Sequence, residues 1–143
     1  MPYDREQWDE RQRRLENAIA NLIPCMNNTK WREVFSAAAR HRAPFRAAFV
    51  RGTEGGTDSI HSVRASWVGE SGLKDPGIGG PCSYREILWI RFPTSIPTRM
   101  GPIVQSLDSL ISDLEKLGEL PLTKTDSYVE IRGYQEPSTP DAP

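Results

Sequence analysis

Hydrophobic and polar positions along this chain switch between the helical period of about 3.6 and the strand period of 2, and the switches divide it into elements. From about Asp4 to Ile23, the residues Trp8, Leu15, Ile19, Leu22 and Ile23 fall near one helical face. Glu6, Glu10, Arg13, Arg14 and Asn17 occupy the opposite face, so this helix is expected to lie on the domain with one side wet. Pro24 ends it, because proline removes a backbone donor and clashes with the preceding turn.

A second helix opens at MNNTKWREVF, residues 26–35. With Asn27 as its cap, the side chain accepts a free amide hydrogen of the first turn, and Met26 and Trp31 take the two positions of a hydrophobic staple. Trp31, Val34, Phe35 and Ala38 then follow the i, i+3, i+4, i+7 spacing of a buried stripe. Lys30, Arg32 and Glu33 are left mostly toward water. Helix building accounts for most of this mixed polar and aromatic run.

Past RHRAP the period becomes 2. Phe45–Arg51 and Ile60–Val68 read as antiparallel strands joined by GTEGGTDS, with Val63, Ala65 and Trp67 on one face of the second. Residues 69–83 form a Gly/Pro-rich loop. Tyr84–Phe92 is apolar on both faces, which predicts a central strand. Pro93 and Pro97 mark a turn-rich connection, and Pro102 suits the first position of a helix striped by Ile103, Leu107, Leu110, Ile111, Leu114 and Leu117 and ended by Gly118. A last strand spans Ser127–Tyr134. The predicted fold is therefore α+β, ordered ααβββαβ, with a mainly antiparallel four-stranded sheet and helices packed on one face. It forms a single domain over residues 1–134, followed by a flexible Pro-rich tail at 135–143.

Composition narrows the function classes. A chain of 143 residues with 37% hydrophobic residues suffices for one core and is short for two. It has no apolar run of about 18 residues and no apolar signal at its start, so no membrane partner and a cytoplasmic location are expected. There Cys25 and Cys82 are expected to be reduced and buried. The formal net charge of −1 argues against a general attraction to nucleic acid. Charge is nonetheless uneven: residues 1–104 carry 15 basic and 11 acidic side chains, and residues 105–143 carry 3 and 8.

Candidate chemistry is sparse, which points away from an enzyme. His41 and His61 are the only histidines, and no paired spacing supports a zinc site with Cys25 and Cys82. GESG around Ser71 lacks the spacing and the strand–turn–helix context of a nucleophile elbow. The glycines at 77, 79 and 80 do not complete a dinucleotide fingerprint, and Lys74 belongs to no phosphate loop. Glu86 and Glu130 would suit a carboxylate pair, but Arg85, Arg91 and Arg132 offer simpler ion-pair partners. Neither a cofactor nor a metal is expected. A basic cluster of Arg40, His41, Arg42, Arg46 and Arg51 reads as a solvated rim or a protein contact. Trp67 and Trp89, with Tyr84 and Arg91 nearby, are types that fill cores and also anchor interfaces.

The segments MNNTKWRE and YREILWIRF with YVEIRGY resemble a family of small bacterial proteins of unknown biochemical activity. Such proteins occur as immunity proteins in polymorphic toxin and type VI secretion systems. The resemblance covers roughly residues 26–134 and implies an immunity protein that blocks the active site of a cognate toxin protein by occlusion, using its sheet or loops. The residues expected to bind that partner are Arg46, Arg51, Arg64, Tyr84, Trp89 and Arg91. The alternative is a small regulatory or ligand-binding domain that uses the 69–83 loop.

Overall fold

A computed structural model describes residues 5–50, 60–74 and 82–135. In chain order the elements are α1 (Arg5–Ile19), β1 (Ile23–Pro24), α2 (Asn28–Arg40), β2 (Arg46–Phe49), β3 (Gly72–Leu73) and β4 (Cys82–Ser83). They continue with β5 (Ile87–Pro93), β6 (Ser95–Ile96), β7 (Ile103–Val104), α3 (Asp108–Glu115), β8 (Leu122–Lys124), β9 (Tyr128–Arg132) and β10 (Tyr134–Gln135). The architecture is mixed α+β. Its main sheet has four antiparallel strands in the order β2-β5-β9-β8, and β1–β10, β3–β4 and β6–β7 form three two-stranded antiparallel ladders.

Helix α2 forms as its sequence dictates. The Asn27 side chain accepts from the Lys30 amide at 2.8 Å, and Met26 is partly buried against the core, as the staple requires. Trp31, Val34, Phe35, Ala37 and Ala38 are buried. Phe35 is the hub of the aromatic packing. Its ring centroid lies 5.6 Å from Trp31, 5.5 Å from Phe45 and 5.7 Å from Tyr84, and Phe45 in turn meets Phe92 edge-on at 6.0 Å. This cluster also takes in Leu110 and Leu114 of α3 and Ala47, Ile90, Val129 and Ile131 of the main sheet.

As its two apolar faces predict, β5 is an inner strand, paired to β2 on one side and β9 on the other. Ala47, Ile90 and Ile131 stand opposite one another on the cluster side. Alternation therefore directs Ala48, Trp89 and Arg132, and next to them Arg46, Arg91 and Glu130, to the other side.

Several expectations are corrected. Ile60–Val68 is not a strand: His61 bridges Phe45 alone, and Ala65–Trp67 is a 3-10 turn. Just past this segment, the Gly69 amide bonds to the Gly72 carbonyl at 2.9 Å and Val68 folds back against Leu73. Part of the 69–83 loop is instead ordered as β3 and β4. The fourth strand of the sheet is β8, which the sequence reading missed.

The last helix begins at Asp108 rather than Pro102, and Ile103, taken for part of its stripe, is a strand residue 58% exposed. Helix α1 stops at Ile19, and the chain extends through β1 because the Cys25 amide bonds to the Gly133 carbonyl at 2.9 Å. Leu15 is the buried member of its stripe among the residues from Asp9 on. Cys25 and Cys82 are not joined in a disulfide, and both are half-buried rather than buried as expected. The GTEGGTDS connection lies outside the described residues, and the Pro-rich tail does so beyond Gln135.

Candidate functional site

Strand β5 carries two candidate features, a cationic ladder along its length and a hairpin at its end. In the ladder, Trp89 and Arg91 are two residues apart and so share a face, and the β9 register brings Glu130 opposite Arg91 and Tyr128 opposite Pro93. The Arg91 guanidinium lies 3.9 Å from the Trp89 ring centroid and 4.5 Å from that of Tyr128. Its Nε donates to Glu130 Oε1 at 2.8 Å, while Arg132 Nε donates to Glu130 Oε2 at 3.4 Å. Glu130 is 8% exposed and is thus a buried carboxylate held by two arginines. Trp89 lies under Arg91, so the ladder offers a partner guanidinium edges rather than an open indole face.

Arg91→Ala is expected to cost about 1–3 kcal/mol, because it strips Trp89 of its cover and leaves a buried carboxylate with one distant partner. The partial exposure of Arg91 keeps the figure below that of a fully buried pair. Urea unfolding checks it. Arg91→Lys should recover little, since an ammonium neither stacks nor forks as a guanidinium does.

Beyond Pro93 the chain becomes the hairpin of β6 and β7, with Ser95 opposite Val104 and Ile96 opposite Ile103. Its root is anchored to the sheet: the Thr94 amide donates to the Ser127 carbonyl at 2.9 Å, and Gln105 Nε2 donates to the Pro93 carbonyl at 2.8 Å. The tip is closed by paired backbone bonds between Thr98 and Gly101 at 3.2 and 3.1 Å, with the Thr98 hydroxyl also donating to the Gly101 carbonyl at 2.5 Å. Gly101 takes φ +107°, a conformation that side chains disfavour, and Pro97 and Pro102 stiffen the flanks. The result is a preordered finger. Met100 is 99% exposed, Val104 81% and Ile103 58%, with the exposed Arg99 beside Met100. Isolated exposed apolar side chains are ordinary, but this ten-residue hairpin carries three, Met100 at its tip and Ile103 and Val104 on opposite faces of β7, so the finger is apolar on more than one side.

Of the residues expected to bind a partner, the structure brings three together: Arg46 stands opposite Arg91, and Trp89 lies beside them. Arg64 lies elsewhere, 5.1 Å over the Trp67 ring. Tyr84 is a core residue, 1% exposed, donating its hydroxyl to the Gly69 carbonyl at 2.7 Å. Burial pushes its phenol up to about 12, with the nearby Cys82 adding to the rise. Arg51 lies outside the described residues. Sequence reasoning named Arg132 only as an ion-pair partner of the glutamates, and missed Tyr128 and the hairpin tip. The available signal was the pair of prolines enclosing TRMG.

The basic cluster divides. Arg40 and His41 both hold Asp113, at 3.3 and 2.5 Å, and the hydrogen bond from His41 is the main cause that keeps the Asp113 carboxyl below its usual range. Arg42 instead lines a cavity with Arg64. Glu86 and Glu130 do not form a carboxylate pair: Glu86 accepts from the Ser83 amide in a capping box, and Glu130 from the two arginines. Among the described residues no group of three His, Cys, Asp or Glu is placed to hold a metal, and no helix is long and apolar enough to cross a membrane.

In comparisons with known proteins, residues 14–138 match the model of one family, described as a family of unknown function (DUF6678). No curated protein matches, and no solved structure does. The matched span takes in the end of α1, all four strands of the main sheet, the hairpin and α3. With most of its length matched, the chain belongs to this family of unknown function.

Proposed function

We propose that this protein is an immunity protein of the bacterial cytoplasm, which neutralises a cognate toxin protein by seating the 95–104 hairpin in the toxin's active-site cleft. The observation that carries the reading is the preordered finger with Arg99, Met100, Ile103 and Val104 exposed. Arginine and methionine are enriched at interfaces, and a tip ordered before contact loses little entropy on docking. In this reading α2 and α3 pack on one face of the main sheet, and the other face adds the Arg91 ladder as a second contact strip. Finger and ladder together supply the anchors of an interface of about 1,200–2,000 Å².

The test is co-expression with the product of the adjacent coding sequence. The expected result is that the adjacent product stops growth and the intact protein restores it. Met100→Asp should weaken the complex by about 2 kcal/mol or more, roughly 30-fold in Kd, with the thermal midpoint of the free protein unchanged. A harmless neighbour, or rescue that survives both Met100→Asp and Val104→Asp, would overturn the proposal. One observation favours a ligand-binding domain as a second reading, the cavity beside Arg42.

A further inference from the structure

A hollow of about 380 Å³ opens where the end of α2 meets residues 62–65. Ala39, Ala43, Val63 and Ala65 give it a floor of small apolar side chains, while Arg42, Arg64 and Ser62 supply the polar groups. Among the described residues no acidic side chain lines it. Among the described residues neither Arg42 nor Arg64 takes part in an ion pair, although Arg40 and His41, just before Arg42, are both committed to Asp113. Two guanidinium groups without an ion-pair partner among the described residues repel each other around one hollow, and an anion between them would relieve that repulsion.

The backbone at Arg42 adds an independent observation. The last turn of α2 closes with the Ala43 amide on the Ala38 carbonyl at 2.9 Å and the Arg42 amide on the Ala39 carbonyl at 3.2 Å. This is the helix ending that normally places glycine in the left-handed region. Here the position is held by arginine, at φ +51°. It is the one non-glycine residue of positive φ among the described residues. Strain of that kind persists where a side chain is needed at that spot. Arg64 is in turn held by its stack on Trp67, which orients its guanidinium in advance.

We infer that this hollow is a binding site for a small organic anion, whose phosphate or carboxylate head is gripped by Arg42 and Arg64 while a short aliphatic body rests on the alanine floor. The guanidinium fork matches either head bidentately, and the volume sits at the small end of ligand pockets. This site does not depend on the hairpin or on a toxin partner.

Calorimetric titration of the full chain at low salt tests it, with glycerol 3-phosphate, succinate and inorganic phosphate as probes and glycerol as the uncharged control. The expected result is that at least one anion binds, glycerol does not, and added salt weakens the binding. The phosphate and succinate arms identify the preferred head. Arg64→Ala should weaken binding at least tenfold. Arg42→Gly should abolish it while raising the thermal midpoint of the free protein, a pairing that a purely structural arginine would not give. The assignment is overturned if no probe binds at about 10 mM, a concentration that detects even millimolar dissociation constants. It is also overturned if Arg42→Gly binds as tightly as the parent, or if hexaglutamate binds more tightly than every small anion, which would make the hollow a docking point for an acidic protein.

Discussion

Replacing Phe35 with alanine is expected to destabilise the protein by about 3–5 kcal/mol and to lower its thermal midpoint by roughly 10–20 °C. Phe35 is 1% exposed and touches three other aromatic rings, contributed by α2 itself, by the residue before β2 and by the turn before β5. Its removal opens a hole at the point where helix and sheet meet, and rings held by each other cannot all shift to fill it. Against a total stability of about 5–15 kcal/mol, this loss would leave a sizeable unfolded fraction at growth temperature. Phe35→Leu keeps most of the volume and should cost roughly half as much. Calorimetry or chemical denaturation of the two variants reads both values, and equal losses would show that ring stacking rather than volume is decisive.

Gly133→Ala is the second large effect, expected at about 3 kcal/mol for a single added methyl. A Cβ at this position would stand 2.3 Å from the Ile87 carbonyl oxygen and 3.1 Å from Trp31 Cζ2. The first of these neighbours is backbone, and it cannot step aside. The Gly133 amide donates to the Leu88 carbonyl at 2.7 Å, and its carbonyl accepts from Cys25, so the residue joins β5 to the segment following β1. Gly118 provides the control. It has φ +99° but open space around it, so alanine there adds backbone strain alone, about 1 kcal/mol. A larger loss at 133 than at 118 separates close approach from left-handed strain.

Where the controlling contacts are local, the sequence announced the structure. The cap, staple and buried stripe of α2 all lie within about four residues of their partners, and each forms as read. The double apolar character of Ile87–Phe92 likewise announced an inner strand. What failed was decided at a distance. Ile60–Val68 has the right alternation, but among the described residues its only bridges are His61 to Phe45 and Val68 to Leu73, so the tertiary ladder that would make it a strand does not form. The three residues of β8 have no alternation to detect and are a strand only because β9 lies beside them. In the ladder, the nearness of Trp89 and Arg91 follows from their spacing, and Glu130 was identified as an ion-pair partner. Tyr128 required the β5–β9 register, which no local pattern supplies. The strained Arg42 was invisible for a related reason: the RHR run at 40–42 has no glycine to signal the left-handed turn that tertiary packing imposes.

The outer strands of the main sheet are short, β2 with four residues and β8 with three. Each also places a cation at its rim, Arg46 on β2 and Lys124 on β8. An approaching peptide would find few free backbone groups to zip onto and a charge to desolvate at either margin. This geometry disfavours recognition by strand addition, and it protects the protein from stacking into fibrils through its own sheet. Whatever docks against the main sheet should therefore read side chains, and its specificity should yield to point substitutions rather than reside in the main chain.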